Sequence, residues 1–77
     1  MPTPSAPEVP IRDDVIRLGQ FLKLAGIADS GADARALLDD GAVTVNGEPE
    51  DRRGRQLVRG DVVAVSLPQG VESAVVG

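Results

Sequence analysis

Neither cysteine nor histidine occurs among the 77 residues, and Phe21 is the single aromatic side chain. With no cysteine and no histidine, disulfides, zinc fingers, thiolate nucleophiles and imidazole bases are all excluded. The missing cysteine says nothing about redox compartment. A lone Phe requires a core built from aliphatics and offers no row of aromatics on which single-stranded bases would stack. Long apolar runs are missing too. The clearest, Val62 to Val65, is interrupted by Ala64 and falls far below the ~20 residues of a spanning helix, so no membrane partner is expected. The N-terminus has no basic flank leading into an apolar stretch, so no secretory signal is read and a cytoplasmic location is expected. Basic side chains are in the minority, eight Lys plus Arg against twelve Asp plus Glu, for a net charge of −4. That sign counts against a polyanionic partner until the charges are located.

What is present suffices for one small domain. The chain is too short for a dinucleotide-binding sheet or a barrel enzyme. Val, Ile, Leu and Phe together make up 22 of the 77 residues, above the roughly 20% below which highly charged chains stay disordered. Four prolines, Pro2, Pro4, Pro7 and Pro10, fill the first ten positions. Proline fixes φ and lacks a donor, so residues 1–10 read as a disordered, extended tail. Pro68 to Gly77 is weakly patterned and reads as a flexible C-terminal tail that frays. The folding unit expected is residues 11–67, small enough to be marginal from burial alone.

Within it, Leu18, Phe21, Leu22 and Ala25 share one helical face, and Gly26 stands where a left-handed stop is cheap. Ser30 with Asp33 three positions later is a capping signature for a second helix, whose apolar face is Ala34, Leu37 and Leu38 and whose end is Gly41. Arg35 lies one turn before Asp39, a partial remedy for Asp39 and Asp40 at the negative end of the helix dipole. The period then falls to two. Val43-Thr44-Val45 reads as a strand, Asn46-Gly47 as turn formers, and Pro49 confines the return segment to an edge or a loop. Residues 52–55, Arg-Arg-Gly-Arg, form a basic loop, Arg59-Gly60-Asp61 a further turn, and Val62 to Val65 the most buried strand. Val15 and Ile16, after an Asp13-Asp14 turn, add a short strand before the first helix. Two helices joined by a short turn and packed on one face of a small sheet is the expected architecture.

The charges are separated along the chain. Residues 29–51 hold seven acids and only Arg35, whereas Arg52, Arg53, Arg55 and Arg59 follow with no acid among residues 52–59. Screening acts over about 8 Å at physiological salt, so a basic loop can attract phosphate whatever the global sign. Arginine supplies a planar fork of donors suited to phosphate. The same loop is equally placed to neutralise Glu48, Glu50 and Asp51 beside it, and the charge pattern leaves both readings open.

Four blocks stand together in order and spacing: Arg17-Leu18-Gly19-Gln20-Phe21-Leu22, Ser30 with Ala34-Arg35, Gly41-Ala42-Val43-Thr44-Val45-Asn46-Gly47, and Gly60-Asp61-Val62-Val63. In these, residues 17–65 resemble the S4-type RNA-binding domain, the module named after the fourth protein of the small ribosomal subunit. The Leu-Gly-Gln-Phe-Leu-Lys and Arg-Arg-Gly-Arg runs are similar to those of its small stand-alone bacterial members. The resemblance implies an α+β, S4-like (alpha-L) fold, a two-helix unit packed on a small bent antiparallel-rich sheet. It implies binding of structured RNA, ribosomal or transfer, in translation, with no catalysis, no cofactor and no small-molecule substrate, and with the ribosome or ribosomal proteins as further partners. Carried over by position, Arg17, Gln20 and Lys23 lie along the first helix, Ser30, Gly31 and Arg35 at and after the start of the second, and Arg52, Arg53 and Arg55 in the loop. Ser30 is in the first place a cap, and Arg35 has Asp39 as a competing partner. Asp29 and Asp33 depart from the basic character that many members show near the second helix start, and two carboxylates there repel phosphate.

A second function stays in view. The acidic 29–51 face, docked on a basic protein of the translation machinery, would make this an interaction module. A sulfur-carrier-like role, raised by Val-Asn-Gly-Glu and a terminal glycine, fails on the end Val75-Val76-Gly77 and on the order of elements. The carboxylates lie near element ends, where solvated acids are ordinary, and no phosphate loop, metal spacing or nucleophile–base pair is visible.

Overall fold

Leu18, Phe21 and Leu22 are completely buried along one side of helix α1, Leu18–Leu24. The structure, a computed structural model, describes residues 6–77. Arg17 caps α1 without a side-chain bond. The first helical amides are satisfied from elsewhere: Leu18 donates to the Arg55 carbonyl at 2.8 Å and Gly19 to the Arg53 carbonyl at 3.0 Å. Free N–H groups at a helix start need such partners. Gly26 takes φ +75°, and the Ile27 and Ala28 amides both return to the Leu22 carbonyl at 3.0 Å, the stop expected from glycine there.

Helix α2, Gly31–Asp39, begins at Ser30, whose Oγ accepts from the Asp33 amide at 3.1 Å. Ala34 and Leu38 are buried, Leu37 packs against them, and Gly41 ends the helix at φ +72°. Arg35 reaches Asp39 at 3.9 Å, but both side chains are about 70% exposed. Such a pair contributes under about 0.5 kcal/mol, less than the about 1 kcal/mol of a serine cap.

Among the described residues, seven strands accompany the helices: β1 (Glu8–Val9), β2 (Val15–Arg17), β3 (Val43–Val45), β4 (Glu48–Pro49), β5 (Gln56–Val58), β6 (Val62–Leu67) and β7 (Gly70–Val76). Five form one sheet in the order β1-β7-β6-β3-β4, antiparallel except for the parallel β1–β7 pair. The other two, β2 and β5, form an antiparallel ribbon pairing Val15 with Val58 and Arg17 with Gln56. The β3–β4 hairpin turns on Asn46 at φ 52° and Gly47 at φ 85°, the mirror-image turn that matches strand twist. Pro49 sits on the edge strand β4, where a missing donor costs nothing. Val43, Val45, Val63, Val65, Ala74 and Val76 bury one face of the sheet with the helices, and Leu57 of the ribbon joins the same core.

Four expectations change. Residues 70–76 of the expected C-terminal tail form β7, the longest of the described strands, registered along β6 from Leu67↔Gly70 to Val62↔Val75. Within residues 1–10, Glu8 and Val9 pair with Val75 and Val76. Pro7 and Pro10 flank this two-residue edge strand, a place where proline is tolerated; Pro2 and Pro4 lie outside the described residues. The folded unit is therefore wider than 11–67. Gln56–Val58, unassigned from pattern, is a strand. Finally, β6 is buried on alternate residues only, with Val62 38% exposed, because the helices cover a single face. The strands β1 and β5 are two and three residues long with partners distant in sequence, whereas β7 follows β6 directly through a tight turn but alternates too weakly to show a period.

The Asn46 side chain does more than turn. Its Nδ2 donates to Asp61 Oδ1 at 3.0 Å, and its Oδ1 accepts from the Val62 amide at 2.9 Å. Asp61 Oδ2 in turn accepts from the Val58 amide at 2.9 Å. Hairpin and turn are thus tied by side chains as well as by strand pairing. Among the described residues, no helix is long and apolar enough to cross a membrane.

Candidate nucleic-acid interface

The β2–α1 junction and the arginine loop meet because α1 takes its first hydrogen bonds from that loop. The Arg53 carbonyl accepts the Gly19 amide, and a Cβ built on Gly19 would lie 3.6 Å from Arg53 Cβ. The contact places Arg53 against the helix face that carries Gln20 and Lys23. An open groove of about 560 Å³ results, lined by Arg17, Gly19, Gln20, Lys23, Arg52, Arg53 and Gly54. Four cations line it and no acid does.

Below the loop lies Glu50, the one buried charged residue among those described. Its backbone is held on β3 by its amide, which donates to the Val43 carbonyl at 3.0 Å. Oε2 accepts from the Asp51 and Arg52 amides, both at 3.1 Å, and from Arg52 Nε at 3.0 Å. Oε1 accepts from Arg52 Nη2 at 3.1 Å and Arg55 Nη1 at 2.9 Å. A buried carboxylate demands this degree of pairing. The Arg52 hydrogen bond first, and then that of Arg55, holds the Glu50 carboxyl far below the usual carboxylate range, against the opposing effect of burial. The same bond and the Glu50 charge push the Arg52 guanidinium upward.

The arginines therefore divide. Arg55 is committed to Glu50, with its side chain 30% exposed. Arg52 is also bound to Glu50, yet its side chain is 73% exposed and lines the groove. Arg59 pairs with Asp14 at 2.9 Å and reaches the Ile11 carbonyl at 3.3 Å. Among the described residues, Arg17, Lys23 and Arg53 enter no ion pair. Neutralisation of neighbouring acids thus describes part of the loop: Glu50 takes two arginines, while Arg53 stays available.

Of the residues singled out in the sequence, the groove brings together Arg17, Gln20, Lys23, Arg52 and Arg53. Ser30, Gly31, Arg35 and Arg55 are not part of its lining; Ser30 is occupied as a cap and Arg35 faces Asp39. Pattern reading missed Gly19 and Gly54 as lining residues and Glu50 as the group that shapes the loop. Glu50 has a visible signal in its spacing before Arg52 and Arg55, but its burial is not a local property.

The S4 domain profile matches residues 9–73, most of the chain. A Bacillus subtilis (strain 168) protein described as "Probable ribosome maturation protein RlbA" is 49% identical over 57 residues, which is 74% of this chain and 80% of that protein. In this chain two helices on a mixed sheet and the family match over residues 9–73 agree: the chain belongs to the S4 domain family.

Proposed function

We propose that this protein binds structured RNA, ribosomal or transfer, through the groove between α1 and the arginine loop, in a ribosome-related role in the cytoplasm and without catalysis. The observation that carries the reading is the convergence of Arg17, Lys23, Arg52 and Arg53 on one open groove with Gln20 and no acid in the lining. Family membership and the ribosome maturation relative support the same class of partner. Arginine and lysine there contact phosphates, Gln20 offers both donor and acceptor to a 2′-hydroxyl, and the sole aromatic, Phe21, is fully buried. Recognition is by backbone and shape rather than by base stacking. The net charge of −4 confines attraction to this face and makes affinity modest and salt-sensitive.

Titration of a folded ribosomal RNA hairpin across a salt series tests the reading. Four phosphate contacts correspond to a slope of about −3 to −4 in log affinity against log salt, and Arg53→Ala lowers its magnitude by about one. Unchanged affinity and slope for Arg53→Ala would refute the groove as the contact surface. Association with ribosomal proteins that survives ribonuclease favours instead docking of a basic protein on the acidic 29–51 region.

A further inference from the structure

The five hydrogen bonds on Glu50 are arranged asymmetrically about the groove. Arg55 is drawn inward, whereas Arg52 gives Glu50 only its Nε and one Nη2 hydrogen. A guanidinium carries five N–H donors, so three on Arg52 remain, on a side chain 73% exposed that lines the groove. An unrestrained arginine loses much rotamer freedom when it meets a phosphate. One edge already seated on a buried carboxylate removes part of that cost. The carboxylate is itself anchored by hydrogen bonds from the Asp51 and Arg52 amides, and the Glu50 amide donates to the Val43 carbonyl.

We propose that Glu50 is a positioning residue for RNA binding: its buried carboxylate grips one edge of Arg52 and aims the remaining donors into the groove. This rests on the RNA-binding reading above and adds a residue that no charge-based view of the site would select. An acid beneath a polyanion site is unfavourable by Coulomb's law, so the proposal and simple electrostatics predict opposite signs. Removing the Glu50 charge should tighten RNA binding if only net charge matters. It weakens binding if Arg52 must be aimed.

The experiment compares wild type, Glu50→Gln, Arg52→Lys and Arg53→Ala on a folded ribosomal RNA hairpin, at a temperature where amide spectra show each variant folded. Glu50→Gln keeps the shape but loses the charge, and the proposal expects about 5- to 10-fold weaker binding. Arg52→Lys keeps the charge and the exposed position but cannot grip a carboxylate with two parallel bonds, so it weakens binding comparably. In the Arg52→Lys background, Glu50→Gln adds little further loss, whereas a merely structural Glu50 adds its full effect. Relaxation of the Arg52 Nε–Hε group in free protein gives a readout independent of RNA: ordered in wild type, mobile in Glu50→Gln. Equal or tighter binding by folded Glu50→Gln, or wild-type affinity for Arg52→Lys, overturns the proposal; should Glu50→Gln not fold, Arg52→Lys alone decides. If Arg53→Ala weakens binding while Glu50→Gln does not, positioning fails and the RNA reading stands. If wild type binds no RNA, both fall.

Discussion

The Gly19 amide donates a 3.0 Å hydrogen bond to the Arg53 carbonyl. This bond, with that from Leu18 to Arg55 at 2.8 Å, makes the start of α1 and the tip of the arginine loop a single unit. A seven-residue helix is far below the ~12–15 residues at which isolated helices become even marginal, so α1 depends on tertiary support. The loop that supports it also carries the free cation Arg53. Stability of α1 and shape of the candidate interface therefore share one set of backbone contacts.

Acid should expose the Glu50 clamp. Its folded pKa lies below the ordinary 4.5, so its stabilising effect is complete above that value and is lost as pH falls below it toward the folded value. Wild type is then more stable than Glu50→Gln at pH 7, and the gap narrows as acid is added toward about pH 3. Urea denaturation of both proteins across this range measures it. A gap that stays constant would show that the carboxylate charge is not what the arginines hold.

Ser30 separates capping from binding. Ser30→Ala removes the acceptor of the Asp33 amide and should destabilise the fold by about 1 kcal/mol. RNA affinity, measured where the variant is folded, should be unchanged, because Ser30 is not part of the groove lining. Arg35→Ala should also leave affinity unchanged, its partner being Asp39. A several-fold loss of affinity in either variant would extend the interface onto α2.

Hydrogen exchange distinguishes a strand from a tail at the C-terminus. The Val75 amide donates to Pro7 at 2.9 Å, Val76 to Asp61 at 2.9 Å and Gly77 to Val9 at 2.8 Å. Val75 and Val76 should be protected nearly as well as the β6 amides, whereas a fraying segment exchanges at open-chain rates. Val76→Asp, which places an unpaired charge in a fully buried position, should prevent stable folding, as circular dichroism would show.

Both helices and the β3–β4 hairpin were legible in the sequence because their signals are local. The spacing of Leu18, Phe21 and Leu22, the Ser30 cap, Gly26 and Gly41 at positive φ, and Asn46-Gly47 each act within a turn or two. The strands β1, β5 and β7 were not legible. Glu8–Val9 and Gln56–Val58 are too short to show a period, and Gly70–Val76 carries Glu72 and Ser73 in place of clean alternation. The partners of β1 and β5 come from distant segments, and β7 is held by β6, which it follows directly, and by β1.

The candidate site divides along the same line. Residue type and spacing alone place Gln20 and Lys23 on one short helix beside Arg17, and concentrate arginine at 52–55. Which arginines remain free is a tertiary outcome. Burial of Glu50 claims Arg52 and Arg55, Asp14 claims Arg59 across 45 residues of chain, and Arg53 is left facing the groove. Charge is written in the sequence, but pairing depends on distance and desolvation, and only the packed fold sets those.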